Sequence, residues 1–197
     1  MIIVSIHGTI DLRNQDQAAR LESLNALFKA LYDQLEIVQE VIIDGVAYRE
    51  NYNNYLLENL MNIKSIEIKT VHEAIIVNDI KADLKDYLPK LIKACDSISE
   101  LFYGVMKDED WNHFGQLTEG MQWVGQSVHV LLENAKRMEG IPTIILTRFV
   151  SEVEGQIEDL EAGLQQNDYS RAGDIIKYEL PDTFKALLNH LEAEVYS

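Results

Sequence analysis

The sequence predicts an α+β protein, in which a small sheet-and-helix domain at residues 1–69 is followed by an antiparallel up-down-up-down four-helix bundle at residues 70–197. Three observations carry this prediction. From Glu109 to Lys136 the apolar residues Phe114, Leu117, Met121, Val124, Val128, Leu131 and Ala135 alternate steps of three and four, which puts them on one helical seam. A seam of that length cannot be buried by one helix alone, and three further stretches downstream of residue 70 share its period. Before residue 70 the pattern is different, with short β-branched runs separated by turn residues and by two amphipathic stretches.

In chain order, Ile2 to Ile6 and Thr9 to Leu12 read as a hairpin turning at His7-Gly8, followed by a helix from about Asp16 to Gln34 with Leu21, Leu24, Phe28, Leu31 and Leu35 on one face. Val41 to Ile43 and Val46 to Tyr48 flank Asp44-Gly45, a strong hairpin signal, because both turn positions favour residues that tolerate positive φ. A short helix over Tyr52 to Met61 and a strand over Ser65 to Lys69 complete one sheet with two helices on a face. Thr70-Val71-His72-Glu73 reads as a capping box that opens the first bundle helix and marks the domain boundary.

That helix carries Val77, Ile80, Leu84, Leu88, Leu91, Cys95, Ile98, Phe102 and Val105, and Pro89 within it predicts a kink or a restart. Asp108-Glu109-Asp110 suits the positive end of the second helix, Gly140 is placed to stop it, and Pro142 to start the third. The third helix carries Leu146, Val150, Val153, Ile157, Leu160 and Leu164. The fourth, from about Tyr169, carries Ala172, Ile176, Leu180, Phe184, Leu187 and Leu191, and its successive steps of four around Pro181 predict a second local kink. Links of a few residues favour antiparallel neighbours.

With 33 acidic against 17 basic residues, the formal charge is −16. Such a surface repels phosphate backbones and anionic headgroups, so neither nucleic acid nor a membrane is an expected partner. Cys95 stands alone, which precludes an intrachain disulfide, and the opening MIIVSIHGTIDL lacks a basic n-region and a small-residue cleavage site. Cytoplasm is the expected location.

Catalytic spacings are sparse. The histidines are His7, His72, His113, His129 and His190, and none belongs to the Glu-x-x-His pair that a metal-holding bundle uses. Asp110-Trp111-Asn112-His113 is a single Asp-x-x-His at a helix start, read as an acidic first turn before a surface histidine. Ser127 and His129, two apart on a helix, diverge by about 200° and cannot form a nucleophile and base pair. Cys95 falls on a buried seam and reads as a small apolar filler. No metal, no cofactor and no catalytic residue is assigned.

Two features stand out from the background. Trp123 faces away from the seam of its helix while Gly120 and Gly125 flank it, and each glycine costs about 1 kcal/mol relative to alanine in a helix interior. One reading is that Trp123 packs under the amino-terminal domain and the glycines admit a bulky neighbour; the other is that Trp123, Gly120 and Gly125, with Trp111, form an interface with a partner chain or a second copy. The cluster Tyr48, Tyr52 and Tyr55 with Asn51, Asn53 and Asn54 reads either as an interaction edge after the hairpin or, more commonly for such a set, as a turn and helix start whose tyrosines anchor to the sheet.

Asp44-Gly45 with Tyr52 and Tyr55, Gly120 with Trp123, Asp168-Tyr169, and the run Asp174-Ile175-Ile176-Lys177-Tyr178-Glu179-Leu180-Pro181 resemble an uncharacterised family of cytoplasmic proteins from low-GC Gram-positive bacteria. The resemblance implies a bacterial, intracellular origin and no known activity. The leading expectation for function is a non-catalytic protein-protein interaction or assembly module, with a homodimer as one form. The alternative is a small-ligand or metal-dependent enzyme with a site between the two domains using His72, His113 or His129. A chaperone whose bundle holds the helix of an export substrate differs from the first only in its partner.

Overall fold

The computed structural model describes residues 1–138 and 141–193, which divide between Ile76 and Val77 into two compact units. In the first unit, β1 (Ile2–Ser5) and β2 (Gly8–Asp11) form a hairpin, followed by α1 (Gln17–Asp33), β3 (Glu36–Ile43), β4 (Val46–Tyr48), α2 (Tyr52–Asn59) and β5 (Ser65–His72). This is the element order that the sequence predicts. The five strands form one mixed sheet in the order β2-β1-β5-β3-β4, in which only β1 and β5 run parallel.

Ile3, Val41, Ile43, Ile66 and Ile68 alternate along their strands and meet Leu24, Leu27 and Leu31 of α1 and Leu56 of α2 in a single core, so both helices cover the same face. Asp44 and Gly45 adopt φ of 48° and 88°, the left-handed pair of a tight hairpin turn. The Asp44 carboxylate also accepts the amides of Ser65 at 2.7 Å and Lys64 at 3.0 Å, tying this turn to the start of β5. Burial pushes its pKa up, but those bonds outweigh it and hold the group below the usual carboxylate range.

The strand expected to end at Lys69 runs on to His72, because β3 also starts early, at Glu36, and the two pair along their length with a bulge between Val38 and Glu40. Thr70 is therefore a strand residue opposite Val38, and the expected Thr70–Glu73 capping box does not form. His72 caps the next helix instead: its Nδ1 accepts the Ala74 amide at 3.2 Å, and the Glu73 amide bonds the Leu35 carbonyl at 2.8 Å.

The second unit consists of α3 (Glu73–Phe102, whose first turn belongs to the first unit), α4 (Asp108–Arg137), α5 (Ile144–Gln165), and a final rod made of α6 (Tyr169–Asp174), a π-helical turn (Ile175–Glu179) and α7 (Leu180–Ala193). Helix α3 is a single segment through Pro89 and does not restart there. Helix α5 begins at Ile144, two residues beyond Pro142, and the stop expected at Gly140 lies outside the described residues. The apolar seams of these helices bury Leu84, Leu88 and Cys95 from α3, Val124 and Val128 from α4, Phe149 and Leu160 from α5, and Ile176, Phe184 and Leu187 from the last rod in one core.

Contacts run in opposite chain directions between neighbours: Tyr87 meets Trp123 while Phe102 meets Trp111 and Phe114, and Gly163 lies against Ala172 while Gln156 bonds Thr183. The irregularity around Pro181 is the π turn. The Leu180 amide bonds the Ile175 carbonyl, five residues back, and this wider turn holds Ala172, Ile176, Leu180 and Phe184 on one face despite steps of four. Among the described residues, no helix is long and apolar enough to cross a membrane.

Candidate functional site

Helices α3 and α4 leave a groove along one side of the helical unit. Its larger section, about 530 Å³, is lined by Leu91, Ala94, Ile98 and Leu101 of α3 and by His113 and Gln116 of α4, among others. A smaller section of about 310 Å³ is formed by Tyr87, Gln116, Glu119, Gly120 and Trp123. The two share Tyr87 and Gln116, so they continue one another along the helix pair.

The two walls differ in chemistry. On α3, Tyr87, Leu91, Ala94, Ile98 and Leu101 recur at steps of four and three, as one apolar stripe over four turns. On α4, His113, Gln116 and Glu119 are exposed and polar. Lys90 lies on the rim of the larger section. His113 makes no hydrogen bond or ion pair among the described residues, so nothing there orients it as a base.

Of the residues singled out from sequence, the structure brings Gly120 and Trp123 together in the smaller section. Gly120 is buried, and a Cβ placed on it would stand 2.3 Å from the Tyr87 hydroxyl and 3.1 Å from a Leu91 methyl. That glycine therefore admits a bulky neighbour from the adjacent helix. Trp123 packs edge-on against Tyr87, with ring centroids 5.0 Å apart and planes at 75°, and remains 38% exposed. Gly125 has nothing within 4 Å of its would-be Cβ and does not line the groove. Trp111 stands apart, in an aromatic cluster with Phe102, Phe114 and Tyr169.

Sequence reasoning missed the α3 wall, although a signal existed. Tyr87, Ala94 and Leu101 recur every seven residues beside the main seam, which makes the apolar face of α3 broader than a single neighbouring helix requires.

Elsewhere the chemistry is quiet. Cys95 is fully buried, and burial pushes its thiol up to about 12. At the π turn, the Tyr103 hydroxyl donates to Asp174 at 2.6 Å, which pushes the phenol up to about 12, while Lys177 pairs with Glu100 and sits 5.5 Å from the Tyr103 ring. Among the described residues, no group of three or more histidine, cysteine, aspartate or glutamate side chains is placed to hold a metal ion.

No curated protein and no solved structure matches the chain. A family model does, over residues 79–190, which lie wholly within the helical unit and include both walls of the groove. The match covers more than half of the chain, and the protein belongs to the family described as "Domain of unknown function (DUF8042)".

Proposed function

We propose that the protein is a non-catalytic interaction module whose helical unit receives a segment of another chain along the α3–α4 groove. The observation that carries this reading is the apolar stripe from Tyr87 to Leu101, which borders an open groove and ends beside a half-exposed tryptophan. Exposed aromatic anchors beside a concave apolar strip are what a docked helix uses for affinity. The two indoles are about equally exposed, 38% for Trp123 and 37% for Trp111, but only Trp123 borders the groove, while Trp111 packs against Phe102, Phe114 and Tyr169.

A photo-crosslinking residue at Gln116, inside the groove, tests the reading against the same residue at Gln165, an exposed position on α5. The expected result is a discrete covalent adduct from Gln116 in the native cell, lost in W123A, and none from Gln165. Equal adducts from both positions, or none from either, contradict it. The mass of the adduct separates a different protein from a second copy of this chain.

A further inference from the structure

The smaller section of the groove has a composition that narrows the choice of partner, given that the groove receives a segment of another chain. Two aromatic rings, Tyr87 and Trp123, stand edge to face over Gly120, and Glu119 and Gln116 complete the recess. Among the described residues, no basic side chain lines it. The Glu119 carboxylate has no ion-pair partner among the described residues. Asp86, next to Tyr87, and Asp83, one turn earlier, also lack a salt bridge among the described residues.

Indole and phenol faces attract cations, and an uncompensated carboxylate beside them adds to that attraction. The larger section differs, since Lys90 and His113 share its lining with the apolar stripe. A positive group is therefore favoured at the Trp123 end alone, and apolar groups along the rest.

We propose that this recess takes one arginine or lysine side chain of an amphipathic helix from a different protein, with that helix's apolar stripe lying along Tyr87, Ala94 and Leu101. From Tyr87 to Leu101 the wall is about 21 Å long at helical rise, which matches a partner helix of about four turns. A second copy of this chain is the disfavoured occupant, because two molecules of charge −16 repel on approach.

The test uses the full chain and two synthetic helical peptides with the same leucine stripe, one carrying a single arginine at its end and the other citrulline, which keeps the shape and loses the charge. Affinities are read by fluorescence polarisation for wild type and E119Q, and in a W111F background Trp123 emission reports occupancy directly. The expected result is a preference of about tenfold for arginine in wild type, which collapses toward onefold in E119Q while the citrulline peptide binds both proteins equally.

Equal binding of the two peptides to wild type overturns the cation inference and leaves the docking reading standing. Failure of both peptides while the Gln116 adduct persists also overturns the inference alone; failure of both together with loss of the adduct overturns the docking reading as well. A concentration-dependent dimer that W123A dissolves, and that the arginine peptide does not disrupt, overturns the inference in favour of a second copy.

Discussion

Gly120 and Gly125 are five residues apart on one helix and look alike in sequence, yet their surroundings are opposite. A methyl group at Gly125 meets nothing within 4 Å, so G125A is expected to stabilise the fold by about 1 kcal/mol through helix propensity alone. G120A gains the same propensity but must displace the Tyr87 hydroxyl, 2.3 Å from the new methyl. Urea titration is expected to place G120A below G125A in stability, with a shift in Trp123 emission seen only for G120A. The reverse order contradicts the packing described for Tyr87. A second prediction at this scale concerns Cys95, whose folded thiol holds its proton up to about 12 against an ordinary value of 9.0. Between these values the folded chain binds more protons than the unfolded one, so its stability is retained below about 9 and falls as pH rises toward 12. Tyr103, raised by its hydrogen bond to Asp174, acts in the same direction. Melting temperatures from pH 8 to 11 are expected to decline less steeply for C95A than for wild type; equal slopes contradict the role given to the thiol.

Among the elements, the last rod is the least regular. If its π turn exists to keep steps of four on one face, removing one residue from it converts those steps to the ordinary alternation and leaves the seam intact. Deletion of Tyr178, which is exposed, is therefore expected to preserve a cooperative thermal transition near the wild-type midpoint, whereas deletion of Asn189 from the regular part of α7 rotates Leu191 off the seam and lowers the midpoint. An equal fall of the midpoint in both variants contradicts the role given to the π turn. The existence of this irregularity was legible from Pro181 and the repeated steps of four, but its form was not, because periodicity records which residues are buried and not which hydrogen bonds carry the backbone between them. The helix start expected at Thr70 failed for a related reason. Thr70-Val71-His72-Glu73 has a helix-start composition, and the ladder between β3 and β5, formed by residues more than 20 apart in sequence, overrides it. Long α-helices and the Asp44-Gly45 hairpin depend on local spacing and could be read directly. The groove depends on two helices meeting, so only half of its signal, the Tyr87–Ala94–Leu101 repeat, lies in any one stretch of chain.

At the scale of the whole molecule, the chain carries two cores, one around the sheet and one among the helices. L88A empties a fully buried site in the second and is expected to cost about 2–5 kcal/mol. Hydrogen exchange should then rise in α4, α5 and α7 while the amides of β1, β3 and β5 keep their protection; a uniform rise throughout contradicts separate cores. The family match falls within the helical unit, and so does the groove between α3 and α4 in which a partner is proposed to dock. Methyl NMR of the chain with the protein captured from Gln116 tests that placement most directly. Shifts confined to Ala94, Ile98 and Leu101 are expected, with Ala186 and Ile157 unmoved. Shifts at Ala186 and Ile157, with the three groove methyls unchanged, would contradict it.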